Sequence, residues 1–194
     1  MREMISMIVV LTVLTVISGG LLAAVKSGTE EQIEIQVLKF QKAPAIESIF
    51  PDVTNDPIAD RFTIKTEEMK LQVFPTKLAD GSKAVAFETK GTGFGGPVGL
   101  MVAVNINSDK VIDVRMTAHA ETPGIGTKPK EDLFFVSQFT GLSIMDTDFN
   151  LKGSGGVIDA VSGATVTSNA LCTAAVKAKE VYQKLKPEII KQMK

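Results

Sequence analysis

The stretch LMVAVNINSDKVIDVRM, Leu100 to Met116, decides the fold. Its first half, Leu100 to Ile106, is dominated by valine and other apolar residues that fit a pleated, buried surface. Asn107 to Lys110 then supplies turn residues, and Val111 to Met116 returns with Val111, Ile112, Val114 and Met116 set against Asp113 and Arg115. Two apolar runs joined by a short polar turn predict a β-hairpin. Towards the N-terminus, Leu71 to Leu78 and Lys83 to Glu88 flank Asp80-Gly81, a pair that adopts positive φ at little cost, and so predict a second hairpin. Between the hairpins, Gly91-Thr92-Gly93-Phe94-Gly95-Gly96-Pro97 is too glycine-rich for regular structure and is expected to be a loop of close backbone approach.

Towards the C-terminus the period changes. From near Ser168, Leu171, Ala174, Ala175, Ala178, Val181, Tyr182 and Leu185 recur on one stripe of a helix, with Lys177, Lys179, Glu180 and Lys184 opposite as a solvated face. Alanines make the stripe narrow enough for close packing on a sheet, and Pro187 is expected to end or break the helix. The fold class is therefore α+β: an antiparallel sheet with packed helices, preceded by a single N-terminal transmembrane helix.

That anchor is read from Met4 to Val25, which contains no charged residue. At about 1.5 Å per residue it spans roughly 33 Å, against a bilayer core of about 30 Å. A cleaved secretory signal is the rival reading, since Ser18, Gly19, Gly20, Ala23 and Ala24 are small, but signal cores are shorter, about 7–15 residues. Without a cysteine near the segment, lipidation is excluded. Lysine and arginine counts on the two sides nearly tie, so the short N-terminal flank is what favours an extracytoplasmic domain on a single-pass anchor in the cell (inner) membrane. After it, Ser27 or Thr29 is expected to cap a new helix over Glu30 and Glu31 that stops or kinks by Pro44, and Phe50 to Phe62 reads as loop. The domains expected are residues 1–26 as anchor, 27–62 as a helical and loop linker, and 63–194 as the globular domain.

With 194 residues the chain has room for one core. Its 21 Lys and Arg against 22 Asp and Glu, a net charge of −1, leave no basic excess for a nucleic-acid partner. The single cysteine, Cys172, excludes an internal disulfide, a four-cysteine iron–sulfur cluster and a CxxCH haem site, and reads as a small buried side chain. One histidine and no Gly-x-Ser-x-Gly elbow argue against a serine hydrolase.

The segment carrying chemistry is Asp159-Ala160-Val161-Ser162-Gly163-Ala164-Thr165-Val166-Thr167-Ser168, just ahead of the C-terminal helix. Its small residues let a bulky ligand approach, and a helix N-terminus offers unpaired N–H groups and partial positive charge to a phosphate. The plainer reading, which the residues alone favour, has Thr167 or Ser168 capping the helix while Ser162 and Gly163 make a turn.

Asp159 followed by Ser162-Gly163-Ala164-Thr165 is similar to the flavinylation motif of the FMN-binding domain family, shared by the G subunit of the Rnf complex and the C subunit of the sodium-pumping NADH:quinone oxidoreductase. Two more segments carry the likeness. His119-Ala120-Glu121-Thr122-Pro123-Gly124-Ile125-Gly126 resembles the family's His-x-Glu-Thr-Pro-Gly-Leu-Gly loop, with isoleucine for leucine, and Gly93-Phe94-Gly95-Gly96-Pro97 resembles its Gly-Tyr-Gly-Gly-Pro loop.

The resemblance implies FMN held covalently as a phosphoester on Thr165, attached by a separate flavin transferase from FAD with magnesium, and Asp159 positioning the loop or the acceptor hydroxyl. It implies cofactor contacts from Ser162, Gly163, Ala164, Thr167, His119, Glu121, Thr122, Gly124, Ile125, Gly126, Gly95 and Gly96, with no metal site and no catalytic residue. His119 and Glu121 would hold the loop. The function implied is electron relay in a membrane ferredoxin:NAD oxidoreductase that moves sodium ions or protons, with the other Rnf subunits (A, B, C, D and E) as partners, the membrane-embedded D above all. The alternatives are the quinone-reductase C subunit, which is usually longer, a stand-alone flavinylated electron-transfer protein, and a non-redox anchored binding module.

Overall fold

The computed structural model describes residues 2–66 and 70–193. The chain forms two units, Met1–Phe40 and Gln41–Lys194.

The first unit is built on helix α1, Arg2–Val37. Its apolar side chains, from Met4 to Val25, are exposed with no protein core of their own, and the helix is long and apolar enough to cross a membrane. The expected restart at Ser27 or Thr29 does not occur. Thr29 Oγ1 donates back to the Val25 carbonyl at 2.8 Å, so the hydroxyl is satisfied inside a continuous helix instead of capping a new one. A π-helical turn, Leu38–Lys42, follows α1.

In the second unit Pro44 opens a helix where it was expected to close one. It lies in the first turn of α2, Ala43–Ile49, where a proline's missing N–H has no helical acceptor to lose. The strands are β1 (Phe62–Lys65), β2 (Lys70–Lys77), β3 (Lys83–Thr92), β4 (Pro97–Asn105) and β5 (Lys110–Met116), and they form one antiparallel sheet in sequence order. Both expected hairpins are present, as β2–β3 around Gly81 at φ +82° and as β4–β5 around Asp109 at φ +55°. Strand β1 was not foreseen, because it is short and follows a loop-rich stretch. The glycine-rich linker is shorter than expected: Gly91 and Thr92 finish β3, Pro97 starts β4, and the Gly93 N–H closes the turn on the Gly96 carbonyl at 2.8 Å.

Helix α5, Thr165–Gln192, lies across β3 and β4. It buries Leu171, Cys172, Ala174, Ala175, Ala178, Val181 and Tyr182 against Val85, Phe87, Leu100 and Val102. Contact is closest at Gly91, where a β-carbon would come within 1.9 Å of the Ala170 carbonyl oxygen. Burial pushes the Cys172 thiol up to about 12, as expected of an inert apolar cysteine. Pro187 lies inside the helix and does not end it. The carbonyl it leaves unpaired belongs to exposed Gln183, where water can serve, and Ile189 buries the last turn. On the other face of the sheet, α2 packs against β4 and β5, with Ile46 and Ile49 buried.

Two short helices, α3 (Lys128–Glu131) and α4 (Leu133–Ser137), follow the 119–126 loop. Asp132 caps α4 by accepting from the Phe134 and Phe135 N–H groups at 2.9 and 3.1 Å. Gln138, just beyond α4, then holds the 159 segment: the Asp159 N–H donates to Gln138 Oε1 at 2.7 Å, and Gln138 Nε2 donates to the Asp159 carbonyl at 3.2 Å.

Candidate functional site

Three segments far apart in sequence meet at one carboxylate. Glu121 is only 5% exposed. Its Oε1 accepts from the Gly95 N–H at 2.8 Å, and its Oε2 accepts from the Thr167 hydroxyl at 2.5 Å. The β3–β4 turn, the 119–126 loop and the first turn of α5 are thereby fastened together. Burial alone would raise the Glu121 carboxyl, but hydrogen bonds from Thr167 and from the Gly95 and Phe94 amides outweigh it and hold the group below its ordinary value.

The glycines around Glu121 make this junction possible. A β-carbon on Gly93 would lie 2.5 Å from Glu121 Oε1, one on Gly126 would lie 2.9 Å from Oε2, and one on Gly95 would lie 2.1 Å from the Ala120 carbonyl oxygen. Gly96 and Gly124 serve differently, taking φ of +133° and +73° with open space where a side chain would be. Within the second loop, the Thr122 carbonyl accepts from the Gly126 N–H at 2.8 Å, and the Gly124 N–H donates to Thr127 Oγ1 at 2.9 Å. That fold turns Ile125 outward.

Helix α5 begins at Thr165, three residues before the start expected near Ser168, and no side chain caps it. The capping reading fails for both candidates. Thr167 is buried on Glu121, and the buried Ser168 hydroxyl donates to the Ala164 carbonyl and accepts from the Val161 N–H, both at 3.0 Å. Ser168 thereby ties the 161–164 turn to the underside of the helix. Gly163 takes φ +76° in that turn, Ala164 is buried, and Ser162 and Thr165 are exposed. Thr165 thus presents its hydroxyl beside leading N–H groups that no side chain satisfies.

Two lysines that no periodicity or motif marks border this segment. Lys152 Nζ pairs with Asp159 Oδ2 at 2.5 Å, so the motif aspartate is engaged by a neighbouring cation. Lys128 Nζ donates to the Ser162 carbonyl at 3.4 Å. His119 is half-buried, and its Nδ1 is buried without a hydrogen-bond partner among the described residues. Burial pushes the imidazole below its ordinary value, helped by the Lys130 charge and opposed by Glu121. Three apolar side chains on the converging segments stand in the open: Phe94 at 81% exposure, Ile125 at 57% and Val166 at 53%.

A phosphate-bearing aromatic cofactor fits this donor set. The exposed hydroxyl and uncapped amides suit its anionic end, and the exposed apolar residues and the unpartnered imidazole nitrogen suit its ring.

Residues 93–180 match the family described as FMN-binding domain. Curated relatives are named as the G subunit of the ion-translocating oxidoreductase complex. That of Vibrio cholerae serotype O1 strain M66-2 is 33% identical over 183 residues, covering 88% of this chain and 86% of its own. That of Escherichia coli O157:H7 is 30% identical over 185 residues, covering 91% and 89%. That of Stutzerimonas stutzeri is 33% identical over 133 residues, covering 65% of this chain, and the match spans only 57% of the relative's length. Among solved structures, the C subunit of the Na(+)-translocating NADH-quinone reductase from Parabacteroides distasonis superposes with a TM-score of 0.51 at 23% identity, covering 61% of this chain and 64% of its own. The Shewanella oneidensis NqrC structure gives the same score and identity over 79% and 75%. These two share the fold: an antiparallel sheet with packed helices.

Proposed function

Given that the chain belongs to the G-subunit family of ion-translocating oxidoreductase complexes, we propose that it is the electron-relay subunit of such a complex and carries FMN covalently on Thr165. The observation that carries this reading is an exposed threonine hydroxyl on the first residue of an uncapped helix, in a segment held to both glycine loops through Glu121 and Thr167.

Bound FMN supplies reversible uptake and release of electrons. The chain's own residues bind and orient. Thr165 Oγ1 carries the phosphoester, and the leading amides of α5 donate to its oxygens. Ser162, Gly163 and Ala164 keep the approach low, while Phe94, Ile125 and Val166 offer apolar surface to the ring. Thr122, Gly124 and Gly126 hold the loop that presents Ile125, and Gly95 and Gly96 hold the turn that presents Phe94. The buried His119 Nδ1, without a hydrogen-bond partner among the described residues, is left for a polar edge of the cofactor. A covalent tether retains the cofactor without the large enclosed pocket that tight non-covalent binding needs.

Helix α1 anchors the chain as a single pass in the cell membrane, with the domain on the extracytoplasmic side. Its partners are the other Rnf-type subunits (A to E), the membrane-embedded D foremost, and a flavin transferase during maturation. The complex moves sodium ions or protons, and this chain performs no substrate chemistry by itself.

Matured in cells with active flavin transferase, the chain should run as a fluorescent band on a denaturing gel and carry the added mass of FMN on the peptide around residue 165. Thr165→Val should lose both while keeping the fold, because Thr165 is exposed. An unmodified wild-type peptide refutes the reading. Retention of fluorescence in the variant moves the attachment elsewhere.

A further inference from the structure

The two lysines beside the acceptor segment differ in what they hold. Lys152 is neutralised by Asp159. Lys128, among the described residues, pairs with no carboxylate; its one hydrogen bond is to the Ser162 carbonyl at 3.4 Å. Its backbone is fixed on both sides. Thr127 is buried and accepts from the Gly124 N–H, Pro129 is buried, and the Lys128 carbonyl accepts from the Asp132 N–H at 2.9 Å.

Gly163 faces this ammonium. At φ +76° it favours glycine in any case, and a β-carbon there would stand 3.3 Å from Lys128 Nζ. The bare turn leaves the cation room directly before the start of α5. A lysine charge and the positive end of an uncapped helix thus converge on one exposed spot where, among the described residues, no carboxylate pairs with the lysine. Like poles brought together repel, and an anion between them removes the repulsion and gains from both.

We propose that Lys128 is a positioning residue for the flavin phosphate, drawing the phosphoryl group onto Thr165 during attachment and pairing with the phosphodiester afterwards. This rests on the reading of Thr165 as the FMN acceptor and adds a residue outside the motifs that suggested it. Attachment forms a bond between Thr165 Oγ1 and the flavin-side phosphorus of FAD and breaks the pyrophosphate P–O bond. AMP leaves, the hydroxyl proton passes to the transferase or solvent, and nothing is oxidised or reduced. The diester that remains keeps one negative charge, and Lys128 Nζ is the cation beside it.

Purified full-length apoprotein in detergent, incubated with flavin transferase, FAD and magnesium, gives the labelling rate by intact mass. Lys128→Ala should label roughly tenfold more slowly and Lys128→Glu more slowly still, with Lys128→Arg near wild type. Added salt should slow the wild type more than Lys128→Ala, because only the wild type has that attraction to screen. Lys177→Glu makes the same change in net charge at a lysine that likewise donates to a carbonyl, that of Lys90 at 3.0 Å, and should label normally. Lys128→Glu labelled at the wild-type rate overturns the proposal, as does Lys177→Glu slowed to the same degree. Wild type that gains no FMN mass overturns the Thr165 reading itself, which separates the two failures.

Discussion

Replacing Glu121 by alanine should unfasten the three segments that its carboxylate joins. The variant leaves the Gly95 N–H and the Thr167 hydroxyl without their acceptor at a position where Glu121 is only 5% exposed. A buried donor stripped of its partner costs about 1–3 kcal/mol, so two of them with the vacated side-chain volume predict about 3–5 kcal/mol. For a domain near this size that corresponds to a fall in melting temperature of roughly 6–20 °C. Glu121→Gln should cost less, because its amide oxygen can still accept from Gly95 and the Thr167 hydroxyl can turn to accept from the amide nitrogen. The assay is thermal unfolding of the full chain in detergent, followed by circular dichroism. An alanine variant within about 1 kcal/mol of wild type would refute the claim that this carboxylate holds the site together.

Other perturbations test the frame around it. Gly91→Ala drives a β-carbon into the Ala170 carbonyl and must push α5 off β3; a loss of about 3 kcal/mol or more is expected from the urea midpoint, and an unchanged midpoint would contradict the close approach. Asp109→Ala removes the acceptor of both the buried Tyr182 hydroxyl at 2.8 Å and Lys186 Nζ at 2.6 Å; about 2–3 kcal/mol should be lost in the same titration, and a neutral result would mean the β4–β5 turn is not clamped to α5. His119 and Glu121 both titrate below their ordinary values of 6.5 and 4.5, so on acidification the unfolded chain takes up protons first. Stability should therefore decline as pH falls below about 6.5 and decline further below about 4.5. His119→Phe should flatten the upper part of that decline in melting temperature against pH, and an undiminished slope would assign it to other groups.

The hairpins were legible because alternating Val and Ile with Asp80-Gly81 and Asn107 to Lys110 are local signals, and strand pairing needs little else. The stripe of α5 was legible for the same reason. Its first turn was not. A helix start is usually marked by a capping side chain, and here Ala164 stands at the cap position while both nearby hydroxyls point inward, to Glu121 and to Ala164. The failure of Pro187 to stop α5 and of Thr29 to restart a helix have one cause: each depends on whether an orphaned backbone group or hydroxyl finds water or an i−4 carbonyl, and that is decided by exposure. The three motifs were visible as residues, but their meeting at one buried carboxylate depends on sequence separations of 26 and 46 residues. Lys128 carries no local signal at all; only the tertiary fold sets it beside Gly163.

The order of elements along the chain has a temporal consequence. The strands β1 to β5 are synthesised before α5, and the apolar face over β3 and β4 stays without its helix until α5 arrives and docks. Thr165 sits at the leading end of this late helix, and Glu121 can grip its neighbour Thr167 only once the helix has seated. On the proposed reading of Thr165 as the FMN acceptor, an enzyme that recognises the assembled junction would meet it only after α5 has docked. Folding and modification would then be ordered in time, with the docked helix as the condition for the second.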